Sequence, residues 1–211
     1  MLESGASKDF FFLLQDYGLL EYLIPPLYSF LMNNDNSALY SFLDHADSLI
    51  KKNLETYERS ILVSLLIYPI LDQTLKIHYE KNSKPIHLGV IFEETKNILN
   101  DFIPNNFHLS RKMKAEIISI LLNQYRFTPL NAPSKKRRIR IPQDPFFTLA
   151  MKFFKIRSSL DPSLNENFIE WNTCLHNFYN KHAEEENPVF QEKKIPHLKI
   201  LPPPVFHAFK K

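Results

Sequence analysis

The sequence predicts an all-α protein: a compact helical body of about seven to eight helices with a proline-rich, extended C-terminal tail. Apolar residues recur three and four positions apart along most of the chain, which is the period of a helix with one buried face. Only three of the 211 residues are glycine, whereas β-rich folds use glycine freely in turns and bulges. We therefore expect one helical body, residues 1–182, and a tail, residues 183–211, that is extended or disordered.

The first half of the chain is expected to hold four helices. The first ends at Pro25, and the second begins at about Ser37, which is a good N-cap. The third and longest covers about 54–78, and Pro69 should kink or break it, because proline removes a backbone donor and clashes with the preceding turn. The fourth covers about 88–102.

Three more helices follow, at about 110–126, 145–159 and 162–182. Ser110 can cap the first of them. Asp144-Pro145 and Asp161-Pro162 each combine an Asp N-cap with a proline at the first helical position, where its missing N–H is tolerated. A basic loop, residues 128–143, lies between the first and the second of these helices.

Positive charge is concentrated in one part of the chain. Residues 111–160 contain twelve Lys or Arg and only two acidic residues, Glu116 and Asp144. The net charge of this part is +10, against −6 for residues 1–110 and −1 for residues 161–211. Concentrated positive charge next to aromatic residues is typical of a surface that binds a polyanion.

The candidate RNA-binding residues lie in and before the basic loop. The cations would neutralise phosphates, and the two aromatic rings would stack on unpaired bases, although each ring could equally belong to the core. The candidates are Arg111, Lys112, Tyr125, Arg126, Phe127, Lys135, Lys136, Arg137, Arg138 and Arg140. A solvated linker and a nuclear-import type of cluster are the alternatives for the loop.

Three cations on the following helix could extend this surface. Lys152, Lys155 and Arg157 repeat the positive charge of residues 111–126. If the two helices pack antiparallel across the loop, both sets of cations would line one groove.

Other kinds of site are disfavoured. The chain contains no glycine-rich phosphate loop, and its eight histidines form no HExxH motif. Metal binding is therefore not expected, and Asp44-His45-Ala46-Asp47 is interpreted as an exposed polar turn of a helix. The single cysteine, Cys174, cannot form an internal disulfide, which favours a reducing compartment.

Neither a secretory signal nor a membrane span is expected. Glu3, Asp9 and Asp16 lie where a signal peptide needs a basic and then an unbroken apolar segment. The longest apolar stretch, residues 61–71, is shorter than the roughly 20 residues that a membrane helix needs. We expect a soluble, cytoplasmic protein without a membrane partner.

Four segments, taken in order, resemble the body domain of bacterial poly(A) polymerase. The family has a helix ending in Tyr-Gly-Leu before a Phe-Pro turn, a Leu-Leu-Trp-Pro element, a Gln-x-Arg-Phe helix end, and a late helix followed by a tryptophan. The corresponding segments here are Asp9–Leu20 with Leu23-Ile24-Pro25, Leu65–Pro69 with Tyr68 in place of Trp, Leu121–Phe127, and Pro145–Arg157 with Trp171.

The resemblance covers about residues 9–175 and implies an all-helical body that guides single-stranded RNA toward the catalytic head of a nucleotidyltransferase. CCA-adding enzymes share this superfamily, but the arginine-rich loop favours the poly(A) branch. The family's head holds two metals with paired carboxylates, and this chain contains no Asp-x-Asp. We therefore expect the C-terminal, RNA-binding portion of such a polymerase, inactive alone.

This interpretation gives the chain itself no cofactor. ATP and Mg²⁺ are expected only with a separately encoded nucleotidyltransferase head, and RNA is the expected partner. The alternative is a helical protein-interaction module whose basic loop docks an acidic partner.

Overall fold

The structure, a computed structural model, describes residues 2–33, 37–82, 86–102, 109–130 and 139–186. These residues contain nine α-helices, two short 3-10 turns and no strand, so the all-α prediction is confirmed. The helices are α1 (Ser7–Asp16), α2 (Leu20–Leu23), α3 (Pro25–Asn33), α4 (Ser37–Lys51), α5 (Arg59–Asn82), α6 (Leu88–Phe102), α7 (Arg111–Phe127), α8 (Phe147–Leu160) and α9 (Asn165–Glu186).

The first predicted helix is in fact two helices, α1 and α2, and a third, α3, begins where it was expected to end. Gly18, with φ of +64°, ends α1 in the left-handed conformation that glycine adopts at little cost. The Gly18 N–H donates to the carbonyl oxygen of Gln15 at 3.1 Å, and the Leu19 N–H donates to that of Leu14 at 2.9 Å. Pro25 begins α3 instead of ending a helix, because a helix start leaves its first N–H groups unpaired in any case.

The expected break in the longest helix does not occur. α5 begins at Arg59, about five residues later than predicted, and runs through Pro69 without interruption. Its residues from Leu65 to Tyr68 are all buried, and α5 packs against α3, α4, α6, α7 and α8. Burial of several large apolar side chains at about 1.5–3 kcal/mol each outweighs the roughly 3 kcal/mol penalty of an internal proline.

α5 is also the one helix of the described residues that is long and apolar enough to cross a membrane. Most of this helix is packed inside the protein, since 61% of its most apolar stretch is buried in the fold. That is the pattern of a core helix in a soluble protein.

The helix caps predicted for the second half of the chain are confirmed only in part. The Ser110 hydroxyl accepts a hydrogen bond from the Met113 N–H at 3.1 Å, as predicted. Asp161 accepts from the Ser163 N–H at 3.0 Å and begins a 3-10 turn that leads into α9. Asp144, however, closes a turn with the Phe146 N–H at 2.9 Å, and α8 begins only at Phe147.

The core lies around α7. This helix packs against α5, α6 and α8, and its residues Ile117, Ile120 and Leu121 are fully buried. A second, smaller cluster of buried residues forms where α7 ends and α8 begins. It consists of Phe127, Phe147, Ala150, Met151 and Phe154, with Trp171 packed against it.

The chain divides into two compact units, residues 1–175 and residues 176–211. α9 continues to Glu186, so Glu184, Glu185 and Glu186, which were assigned to the tail, are helical. This correction follows from the good helix propensity of glutamate. Residues 187–211 of the predicted tail lie outside the described residues.

α1 takes its N-terminal cap from another helix. Ala6 offers no side-chain acceptor, and the buried carboxylate of Asp47 on α4 fills that role. It accepts from the N–H and the hydroxyl of Ser7 at 3.1 and 2.6 Å and from the Lys8 N–H at 2.9 Å. The interpretation of this stretch as an exposed turn is therefore wrong for Asp47, whose role depends on a partner forty residues away.

Two glycines with positive φ provide a test of these contacts. At Gly18 an added Cβ would meet no atom within 4 Å, so Gly18→Ala should lower the free energy of unfolding by about 1 kcal/mol through backbone strain alone. At Gly5 the Cβ would lie 3.1 Å from the Asp47 carbonyl oxygen. Gly5→Ala should therefore lose about 1 kcal/mol more in guanidinium unfolding. Equal losses for the two variants would show that the contact between residue 5 and α4 is not tight.

Candidate nucleic-acid interface

Eight of the twelve cations in residues 111–160 lie in the described part of the chain. Four of them are engaged in contacts within the fold: Lys152, Lys155 and Arg157, described below, and Lys112, whose ammonium lies 3.9 Å from Glu116 Oε1 one turn further along α7. Lys135, Lys136, Arg137 and Arg138 lie outside the described residues.

Lys152 and Lys155 are paired with carboxylates before α5. The Lys152 ammonium lies 2.7 Å from Glu58 Oε1, and that of Lys155 lies 2.6 Å from Glu55 Oε1. Both pairs are largely exposed, so each contributes little to stability. They nevertheless place a negative charge beside each lysine, which lowers the positive potential that an RNA phosphate would meet.

The predicted groove between antiparallel helices is not formed. Hydrogen bonds connect Ser119 to Asp144, Gln124 to the Ala150 carbonyl, and Thr128 to Arg157. Residues further along α7 pair with residues further along the segment 144–157. The two helices therefore run in the same general direction where they are in contact. Asp144, which precedes α8, therefore lies at the level of Ser119 and not at the end of α7.

Arg157 is a buried structural residue. Only 9% of it is exposed, and its guanidinium donates to Gln124 Oε1 and to Thr128 Oγ1, each at 3.2 Å. Its Cζ atom lies 4.7 Å from the centre of the Tyr68 ring and 5.7 Å from that of Phe154. These contacts replace the water that the charge loses on burial.

The position of Arg157 could have been read from the sequence. Ala150, Phe153, Phe154 and Arg157 follow the i, i+3, i+4, i+7 spacing of one helix face, and all four are buried. Its charge, by contrast, suggests a surface position, and the spacing is the better guide here.

The two candidate stacking residues are core residues. Tyr125 is only 5% exposed, its hydroxyl donates to Asp72 Oδ1 at 3.3 Å, and its ring lies against Tyr68. Phe127 is 3% exposed and stacks on Phe154 with the ring centres 4.7 Å apart. Neither ring presents a face on which a base could stack, so that expectation is wrong for both. The core alternative, which the sequence left open, applies.

Burial also changes the acidity of the tyrosines in this region. Loss of hydration raises the pKa of Tyr125 and of Tyr68 above the ordinary value, while the nearby charge of Arg157 acts against the rise. At Tyr57, before α5, burial and the Glu55 carboxylate raise the pKa to about 12. All three phenols are therefore held in the neutral form.

The remaining candidate cations form two separate groups. Arg111 and Lys112 are exposed at the start of α7, and Arg126 lies near its end. Fifteen residues of helix separate Arg111 from Arg126, a distance of about 22 Å at 1.5 Å per residue. Arg140 is exposed and precedes Ile141, which packs on the cluster containing Phe127. Arg126 and Arg140 thus lie at the same end of α7, and in the sequence they flank the four cations at 135–138.

No carboxylate is free to neutralise this second group from within its own segment. Residues 117–143 contain no Asp or Glu, and Asp144 follows directly. Its Oδ2 accepts from Ser119 Oγ at 2.6 Å and from Asn123 Nδ2 at 3.0 Å, and its Oδ1 accepts from the Phe146 N–H. The carboxylate is therefore used to fix the end of the connection on α7.

The described residues contain no group of three or more His, Cys, Asp or Glu side chains that could hold a metal ion.

Comparison with known proteins adds no identification: no protein-family model, curated protein or solved structure matches this chain. The likeness to the poly(A) polymerase body is carried by the quoted residues alone. Most of these are packing or turn residues in the structure, such as Gly18 after α1, Pro69 within α5 and Phe127 at the end of α7. They bear on the fold more directly than on RNA binding.

The Arg157 contacts can be tested by a substitution that keeps the charge. Arg157→Lys loses the planar donor fork and the contact with the Tyr68 ring, leaving Gln124 Oε1 or Thr128 Oγ1 unpaired. We expect a loss of about 2–4 kcal/mol in urea unfolding. Lys155→Arg, an exposed and charge-conserving exchange on the same helix, is the matched control and should change stability by less than about 0.5 kcal/mol. A similar small effect for both variants would contradict the role given to Arg157.

The tyrosine environment predicts alkaline destabilisation. Below the ordinary tyrosine pKa of 10.0 the phenols are protonated in folded and unfolded chains alike, and the stability that burial gives is fully present. As the pH rises from 10.0 toward 12, the unfolded chain ionises first at Tyr57, so the free energy of unfolding falls. Tyr57→Phe should make this fall shallower in guanidinium titrations followed by circular dichroism. Tyr17→Phe, on an exposed ring, should leave the pH profile unchanged.

Proposed function

We propose that this chain is an RNA-binding helical body of the poly(A) polymerase type, which holds single-stranded RNA by neutralising phosphates along residues 126–140. The observation that carries the proposal is the charge of this segment: six Lys or Arg and no acidic residue between Glu116 and Asp144. Asp144, the next carboxylate along the chain, is held by hydrogen bonds beside Ser119 and Asn123 of α7. A phosphate backbone is the polyanion best matched to such a run of cations.

The burial of Tyr125 and Phe127 changes how RNA would be held. Without exposed rings, base stacking contributes nothing from these two residues, and affinity comes from charge. Binding should then depend strongly on salt and weakly on base sequence, as expected of a surface that guides a strand. Adenylate transfer with ATP and Mg²⁺ is assigned to a catalytic head outside these residues, and the complex to the cytoplasm.

The proposal is tested by the salt dependence of binding to a fluorescent single-stranded RNA. If about five phosphates are contacted, the logarithm of the association constant should fall with the logarithm of salt with a slope of about −3.5. Arg138→Gln combined with Arg140→Gln should weaken binding and make the slope shallower by about 1.4, because two phosphate contacts are lost.

The matched control removes the same charge elsewhere. Lys152→Gln combined with Lys155→Gln also lowers the net charge by two, but these lysines are paired with Glu58 and Glu55. The control should bind RNA with nearly the original slope. Equal effects of the two double variants would show that only net charge matters. Binding of poly-glutamate as tightly as RNA would instead favour an acidic protein partner for the basic segment.

A further inference from the structure

A second surface, at the opposite end of the sequence, is exposed and apolar. On α1 the exposed residues recur at the spacing of one helix face, and the opposite face, with Phe11 and Leu14, is buried in the core. α2, which follows directly after the turn at Gly18, also exposes Glu21, Tyr22 and Leu23. We call it the outer α1–α2 surface, which comprises Asp9, Phe12, Leu13, Asp16, Tyr17, Leu19, Glu21, Tyr22 and Leu23.

The aromatic content of this surface points to an interaction. Tyr17 and Tyr22 are 75% and 80% exposed, although rings of this size bury a large area whenever a partner is present. Leu13 and Leu19 are also exposed beside them. Contiguous apolar patches of this kind mark binding sites, and tyrosine is enriched at the centre of protein interfaces.

The surface is held in a defined shape before any partner binds. Asp47 fixes the start of α1 through three hydrogen bonds, and the turn at Gly18 fixes its end. A preformed surface loses little conformational entropy on binding, which favours affinity.

The negative charge of the outer α1–α2 surface indicates which kind of partner it can bind. Residues 9–50 contain six acidic residues and no Lys or Arg, and Asp9, Asp16 and Glu21 of the surface are exposed. Lys8, at its edge, is paired with Asp44 at 2.8 Å. Two copies joined through this surface would bring like charges together, and an anionic membrane would be repelled. A partner that carries Lys or Arg among apolar side chains is complementary in both respects.

We propose that the outer α1–α2 surface docks a cationic amphipathic segment of a partner protein. The apolar side chains of that segment cover Tyr17, Tyr22 and Leu13, and its cations face Asp16 and Glu21. This site does not depend on the RNA-binding proposal, because its residues and its charge are separate from those of residues 126–140.

The probe is a synthetic helical peptide with one leucine face and one lysine face, titrated into the full chain by calorimetry. Tyr17→Ser combined with Tyr22→Ser should weaken binding at least about tenfold, as expected when two aromatic anchors are lost. Asp16→Asn combined with Glu21→Gln should weaken binding at low salt and remove most of its salt dependence. Both variants should keep the circular dichroism spectrum and the RNA binding of the original chain.

Matched controls remove similar groups from other surfaces. Leu54→Ser with Ile169→Ser removes exposed apolar side chains, and Glu166→Gln with Glu170→Gln removes exposed carboxylates. Each control should bind the peptide as the original chain does.

Three results would overturn the proposal. The first is equal binding of a leucine–glutamate peptide or undiminished binding by the Tyr17 and Tyr22 variant. The second is self-association, seen by sedimentation, that this variant abolishes, since the occupant would then be a second copy. The third is association with phosphatidylserine vesicles that the variant abolishes, which would make the occupant a membrane.

Discussion

The buried guanidinium of Arg157 determines how three helices of the body meet. A charge that leaves water must find hydrogen-bond acceptors and polarisable neighbours within the fold, or the burial is strongly unfavourable. Arg157 finds them on α7, through Gln124 and Thr128, and on α5, through the ring of Tyr68. Arg157 can make all of these contacts only when α5, α7 and α8 are packed together. The same arrangement buries Tyr125.

This arrangement separates cations that make contacts within the fold from the cations of the basic segment. Arg157 is buried in the core, and Lys152 and Lys155 are paired with Glu58 and Glu55 at the surface. The high charge density that the sequence shows between Arg126 and Arg140 does not include these three residues. Counting charges along the sequence thus overestimates the size of a binding surface, because the count does not distinguish a buried arginine from an exposed one.

The sequence predicts most helices correctly because the spacing of apolar residues indicates which face of a helix is buried. Capping residues also indicate where a helix begins, as Ser110 does for α7. It fails where tertiary contacts override a local rule. Pro69 stays within a helix because the surrounding core compensates for it, and Pro25 begins a helix because an N-terminus requires no donor there. For the candidate site, the cations at 135–138 are found by composition, whereas the burial of Phe127 depends on a cluster assembled from several helices. Local patterns carry no information about such clusters.

The cap that α4 supplies to α1 has a consequence for the order of events during synthesis. α1 leaves the ribosome before α4, and the carboxylate that pairs its first N–H groups is encoded forty residues later. Short isolated helices are marginal in water, so α1 remains largely uncoiled until Asp47 has emerged and α4 has formed. The nascent chain therefore exposes the apolar side chains of this segment for several seconds, since synthesis proceeds at about 5–20 residues per second. A chaperone that recognises apolar segments has its best opportunity to bind this protein within that interval.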